Sequence, residues 1–246
     1  MEEILYEVFR ILPRQGPGSF EATKKAFSCL RNIPGNTKIL DIGCGSGKQT
    51  FDLAAITKSE ILAIDNYQGF IDQLNEKAKT IGLADRVIGE TRDMCNLPYK
   101  DNSFDIIWCE GAIYNIGFEK GLNEWNHLLK QNGYIALTEV AWLKNDIPVS
   151  LKHFFEQEYP AIKQYKQNID LIKNAGYKLI DSFILPDNTW RDDYYIPLEK
   201  QIPIFRKKYA DNKEAQDFFD SLETEINMFN KYSEFYGYVF YIMQKK

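Results

Sequence analysis

Lys38 to Gly47 reads KILDIGCGSG: a short apolar run that ends in Asp41 and breaks at once into glycines at alternate positions, Gly43, Gly45 and Gly47. A segment of this kind has few ways to fold. The apolar residues predict a buried strand, and the glycines a tight turn that opens a helix at Lys48. Glycine there takes positive φ easily and lets the backbone come close to a ligand with no Cβ in the way. The helix behind it offers free N–H groups and a partial positive charge. A nucleotide-like ligand suits such a turn, and the spacing of the glycines decides which kind.

The dinucleotide pattern is G-x-G-x-x-G, with the acidic residue about 20 positions further on. Here Asp41 precedes the glycines, and Lys48 stands where that pattern needs its third glycine. A carboxylate at the strand end repels a pyrophosphate but suits a ligand carrying an amine or sulfonium. In residue type and spacing the segment resembles the first motif of the class I S-adenosylmethionine (SAM) dependent methyltransferases: an apolar strand, an acidic residue, then G-x-G-x-G.

The chain has 246 residues, 44% hydrophobic and 26% charged, enough for one α/β domain with a full core. It holds no apolar run near the roughly 18 residues of a membrane span, and MEEILYEVFR at the start lacks a signal-peptide pattern. The net charge of −5 argues against a nucleic-acid partner, which needs a basic surface. Cys29, Cys44, Cys95 and Cys109 form no C-x-x-C, and there are only two histidines, so no metal site is expected. A reducing cytoplasm is the simplest setting. A homodimer is the assembly left open.

Strand-like and helix-like stretches then alternate. Lys48–Ile56 predicts a helix, Glu60–Asp65 a second strand, Phe70 to Ile81 a helix closed by Gly82, Arg86–Glu90 a third strand and Phe104–Cys109 a fourth. Leu122, Trp125 and Leu129 mark a helix that ends near QNG, and Tyr134–Thr138 a fifth strand. This rhythm predicts βαβ units with right-handed crossovers, and ligands beyond the carboxyl ends of the strands. Residues 148–175 read as helical, Lys178–Leu185 as a sixth strand, 197–232 as charged helix and Gly237–Met243 as an aromatic-rich last strand. The resemblance implies a Rossmann-like seven-stranded sheet with the last strand antiparallel and helices on both faces. The expected organisation is a single domain, 1–246. Residues 1–18 form an N-terminal lid, 36–140 the SAM-binding core, and 148–175 with 186–235 a helical cap.

The resemblance also implies roles. Asp41, Gly43, Gly45 and Gly47 form the SAM loop. Asp65 takes both ribose hydroxyls, because a carboxylate accepts two donors at once, and Asn66 lies against the adenine. Asp93 and Met94 hold the adenine edge, and Glu110 and Gly111 set the donor against the acceptor. In the lid, Arg14 pairs with the methionyl carboxylate and Gly18 closes over it. Glu110 is equally open to holding substrate, taking a proton or capping a turn. With Glu139 and His153 it makes the set of candidate catalytic residues. Tyr114, Trp142, Trp190, Tyr194 and Tyr195 are candidate acceptor residues, as rings that attract a cation or enclose a planar or apolar acceptor. The N-P-P-Y type of motif that marks amino-group methylation of nucleic acids is absent after the fourth strand. The expected function is methyl transfer from SAM, with S-adenosylhomocysteine (SAH) as product, to a small-molecule acceptor, closest to the quinone and sterol C-methyltransferases. The alternatives are a non-catalytic SAM-binding protein and an NAD-dependent oxidoreductase.

Overall fold

The computed structural model describes residues 1–246, the side chain of Glu2 apart. Helices α1 (Glu2–Arg10) and α2 (Phe20–Ser28) precede β1 (Lys38–Ile42), α3 (Lys48–Ile56), β2 (Glu60–Asp65), α4 (Gln68–Thr80), β3 (Val87–Thr91), β4 (Phe104–Cys109), α5 (Phe118–Trp125) and β5 (Leu129–Trp142). There follow α6 (Val149–Glu158), β6 (Lys163–Gln164), α7 (Tyr165–Asn174), β7 (Tyr177–Ile184), α8 (Asn188–Trp190), α9 (Ile196–Lys208), α10 (Lys213–Tyr232) and β8 (Tyr236–Lys245).

The sheet order is β3-β2-β1-β4-β5-β8-β7, with the two-residue β6 beside β5. Pairing is parallel except along β8, which runs antiparallel to both β5 and β7. The expected seven-stranded Rossmann-like sheet is present. β1 and β4 are adjacent although β2 and β3 lie between them in the chain, so the strand order reverses there. In open α/β sheets that reversal leaves a crevice beyond the strand ends. The central strands are apolar on both faces because helices cover both. Leu40, Ile42 and Ile107 point into one core, and Ile39, Ile106 and Trp108 into the other.

Local sequence explains most element ends. Ser19 caps α2, its hydroxyl accepting from the Ala22 N–H at 3.2 Å. α4 closes on Gly82 at φ +71°, where the Leu83 N–H reaches back to the Ala78 carbonyl at 2.7 Å. Two expectations need correction. The QNG stretch does not end a helix: α5 stops at Trp125, and β5 starts at Leu129. Asn132 at φ +63° makes an irregularity inside the strand, and Gly133 fits because a Cβ would sit 3.0 Å from the Asp105 carbonyl. Nor are residues 148–175 all cap. α6 lies against Trp142 and Tyr236 through Phe155, but α7 packs on β5, β7 and α5 as part of the layer covering the sheet. Its Ile172 is fully buried in that core.

Candidate active site

Beyond the carboxyl ends of β1, β2 and β4 lies a cleft of about 700 Å³. A shallower surface groove of about 910 Å³ lies at the opposite ends of the strands, around Lys38, Glu60 and Arg86. It is larger but remote from the glycine turn, and two of its lysines are in ion pairs: Lys38 with Glu60, and Lys130 with Asp105.

The glycine turn forms the cleft floor. Gly43, Gly45 and Gly47 all have positive φ, +72°, +54° and +89°. A Cβ on Gly43 would overlap the Ala112 methyl, and one on Gly45 the Gln15 side-chain oxygen. Bare backbone is therefore required on the cleft side. Gly47 faces away from the cleft and caps α3, and a Cβ there would lie 2.7 Å from Leu74. Gly43→Ala is expected to destabilise the fold by about 1–2 kcal/mol in urea denaturation, since left-handed backbone alone costs that much for a non-glycine residue.

Asp65 ends β2 on the cleft wall and accepts from the backbone N–H groups of Gly45 at 2.9 Å and Tyr67 at 3.1 Å. Burial raises its pKa, and those two bonds work against the rise. Asn66, Asp93, Met94, Gly111 and Tyr114 line the same cleft.

Asp41 does not. It is fully buried beneath the turn, where one oxygen accepts from the Thr50 hydroxyl at 2.6 Å and the other has no partner. Burial raises its pKa to about 7. Asp41 therefore holds α3 against β1 instead of touching a ligand. With the folded pKa above the unfolded value of 3.8, its contribution is full below about pH 4 and is lost as pH rises through 7. Urea denaturation from pH 4 to 8 should show stability falling over this window, and Asp41→Asn should flatten the fall.

Arg14 and Glu110 also take roles other than those expected. The Arg14 guanidinium bridges Asp52 at 2.8 Å and Glu110 at 2.9 Å, with both partners buried. Lys48 meets Asp52 from the far side at 2.9 Å. The other Glu110 oxygen accepts from the Thr23 hydroxyl at 2.7 Å and the Trp108 indole N–H at 2.8 Å. A carboxylate so fully engaged is a poor proton acceptor, so Glu110 is an anchor that ties the N-terminal segment to β4. Gly18 sits against this anchor, since a Cβ there would lie 2.5 Å from the Arg14 guanidinium.

His153 is corrected outright. It is exposed on α6, paired with Glu156 at 3.1 Å, and lines neither chamber. Trp142 lines neither chamber either, because it packs edge-on against Phe155 and Tyr236. Tyr194, Trp190 and Tyr195 border a second chamber of about 260 Å³, which shares Gly111, Tyr114 and Glu225 with the cleft. Glu139 lies behind that chamber and accepts from the Tyr159 hydroxyl at 2.7 Å. Burial lifts its pKa to about 8, and the Tyr159 bond partly offsets the lift.

Sequence reading missed Gln15, whose side-chain oxygen accepts from the Ser46 N–H at 3.0 Å over the glycine turn. It also missed Tyr6, stacked on Tyr67 with ring centroids 3.7 Å apart, and Glu225. For Glu225 a signal existed: a carboxylate flanking the apolar stripe Leu222, Ile226 and Phe229 of a helix.

Residues 39–133 match the family model described as a methyltransferase domain. The chain is 30% identical over 186 residues to squalene methyltransferase 1 of Botryococcus braunii, covering 69% of this chain and 47% of that protein. Phosphoethanolamine N-methyltransferase 1 of Arabidopsis thaliana is 25% identical, covering 82% of this chain and 40% of its own length. The chain thus spans about half the length, or less, of these curated relatives. Among solved structures, a SAM-dependent methyltransferase from Geobacter sulfurreducens in complex with SAH superposes with a TM-score of 0.85 at 19% identity, covering 100% of this chain and 99% of the other. Residues 39–133 thus match a methyltransferase domain, and the chain as a whole has the fold of the SAM-dependent methyltransferase structure. No described helix is long and apolar enough to cross a membrane.

Proposed function

We propose that this chain transfers a methyl group from SAM to a small-molecule acceptor, at nitrogen, oxygen or carbon. The observation that carries the reading is the bare glycine turn with the Asp65 carboxylate hydrogen-bonded beside it, both lining one cleft. The residues fit the cofactor. Gly43 and Gly45 would meet it along the cleft with bare backbone, Asp65 would take the ribose hydroxyls, and Asp93 and Met94 would hold the adenine. When bound, SAM supplies an already activated methyl group on a sulfonium.

The protein's part is then orientation and exclusion of water. α1 and the loop to Gly18 act as the lid, held down by the Arg14 bridge. α6, α9 and α10 act as the cap, and Tyr114, Trp190, Tyr194 and Tyr195 shape the acceptor space. If the acceptor must lose a proton, Glu139, one hydrogen bond behind the Tyr159 hydroxyl on the chamber wall, is a base only above its raised pKa of about 8. The free thiols of all four cysteines support a reducing, cytoplasmic setting, and light scattering would tell a monomer from a homodimer.

The test is calorimetric titration with SAM, SAH and NAD. Micromolar binding of SAM and SAH, with none of NAD, is the expected result. Binding of NAD alone would overturn the reading in favour of an oxidoreductase. SAM binding without turnover across a broad acceptor panel would favour a non-catalytic binding protein.

A further inference from the structure

The smaller chamber has one-sided chemistry. Tyr114, Tyr159, Trp190, Tyr194, Tyr195 and Tyr236 surround it, and Glu158 and Glu225 supply its charge. No lysine, arginine or histidine is among the described residues that line it. The rings hold one another in place: Tyr194 stacks on Tyr195 at 4.9 Å between centroids, and Trp190 stacks on Phe229 at 4.6 Å. The Tyr236 hydroxyl is buried on this wall without a partner. Glu225 is fixed by the Tyr195 hydroxyl at 2.8 Å. The nearest guanidinium along the cleft, Arg14, is already bound to Asp52 and Glu110.

Ring faces carry negative quadrupole potential, and two carboxylates deepen it. Such a wall attracts a small organic cation and repels a phosphate or carboxylate. We infer that the acceptor is a small amine, held in its ammonium form against the Tyr and Trp faces with Glu225 as counter-charge, and methylated on nitrogen. This inference rests on the methyl-transfer reading for its last step only. In that step the bound amine first gives up a proton to Glu225. Its lone pair then forms the N–CH₃ bond as the S–CH₃ bond breaks, with the electron pair going to sulfur and leaving a thioether. The product nitrogen carries the positive charge.

The experiment compares choline with its neutral isostere, in which a quaternary carbon replaces nitrogen, by calorimetry on the full chain with and without SAH. The shapes match, so only charge differs. Choline is expected to bind roughly tenfold or more tighter, since cation–π contacts in desolvated sites reach about 2 kcal/mol. Glu225→Gln, checked for folding by circular dichroism, should cut that preference several-fold, and Glu158→Gln tests the other carboxylate in the same way. Equal or weaker binding of choline to SAH-loaded protein overturns the amine inference and leaves the methyl-transfer reading standing. Choline preference without any SAH binding supports the cage and overturns the methyl-transfer reading instead.

Discussion

Asp65→Ala is expected to weaken SAM and SAH binding at least a hundredfold. In the folded chain the Asp65 carboxylate reaches the cleft while its oxygens accept from the Gly45 and Tyr67 N–H groups. The proposed ribose contact adds two hydroxyl donors to the same carboxylate, and hydrogen bonds to a charged group contribute about 1.5–3 kcal/mol each. Losing two such bonds exceeds the roughly 2.7 kcal/mol that a hundredfold change requires. Alanine also frees the Gly45 N–H, so the turn itself loosens. Asp65→Asn separates the two effects: it keeps an acceptor for the backbone but gives up the charge, and should fall between wild type and alanine. Calorimetry with SAH reads all three directly. Affinity within threefold of wild type in Asp65→Ala would remove this residue from the cofactor site.

The second large effect is on stability. Arg14→Ala leaves Glu110 and Asp52 buried without their shared guanidinium. Removing one partner of a buried ion pair typically costs about 3–5 kcal/mol, because the remaining charge stays desolvated. For a chain of this size that corresponds to a fall in Tm of roughly 6–20 °C. Lys48 still faces Asp52, so the greater damage falls on Glu110, whose other donors are the Thr23 hydroxyl and the Trp108 indole. Adding Glu110→Gln to Arg14→Ala should therefore recover part of the loss, an outcome that simple loss of packing would not give. The recovery is read as the coupling in a double-mutant cycle by thermal denaturation. The single mutant should also release the segment up to Gly18, seen as faster tryptic cleavage after Arg10 than in the wild type. Full stability in Arg14→Ala would show that the bridge is not what holds the N-terminal segment down.

The floor and walls of the cleft were legible because their signals are local. Gly43, Gly45, the strand-end carboxylate of Asp65 and the pair Asp93 and Met94 each sit within three residues of a strand terminus, and a parallel sheet carries those termini to one edge. The second chamber was legible only in part. Tyr194 and Tyr195 stood out by composition, but Tyr159, Glu225 and Tyr236 come from α6's end, α10 and β8, and nothing local marks their convergence. Chemistry-bearing residue types alone misled twice. His153 carries a side chain suited to acid–base work, yet its helix turns it to solvent. Glu110 follows β4 as the resemblance implied, but Arg14, 96 positions earlier, occupies its carboxylate.

Periodicity and turn chemistry determined the strands, the helices and the glycine turn, because each depends on backbone preferences and side-chain patterns within a few residues along the chain. Whether a charged side chain is a ligand, a base or an anchor was decided by tertiary structure alone. A carboxylate's behaviour depends on its desolvation and on donors brought from distant segments. Asp41 under the turn, Glu110 bound to Arg14 and Glu139 within β5 behind Tyr159 are three acids with three different fates for that reason.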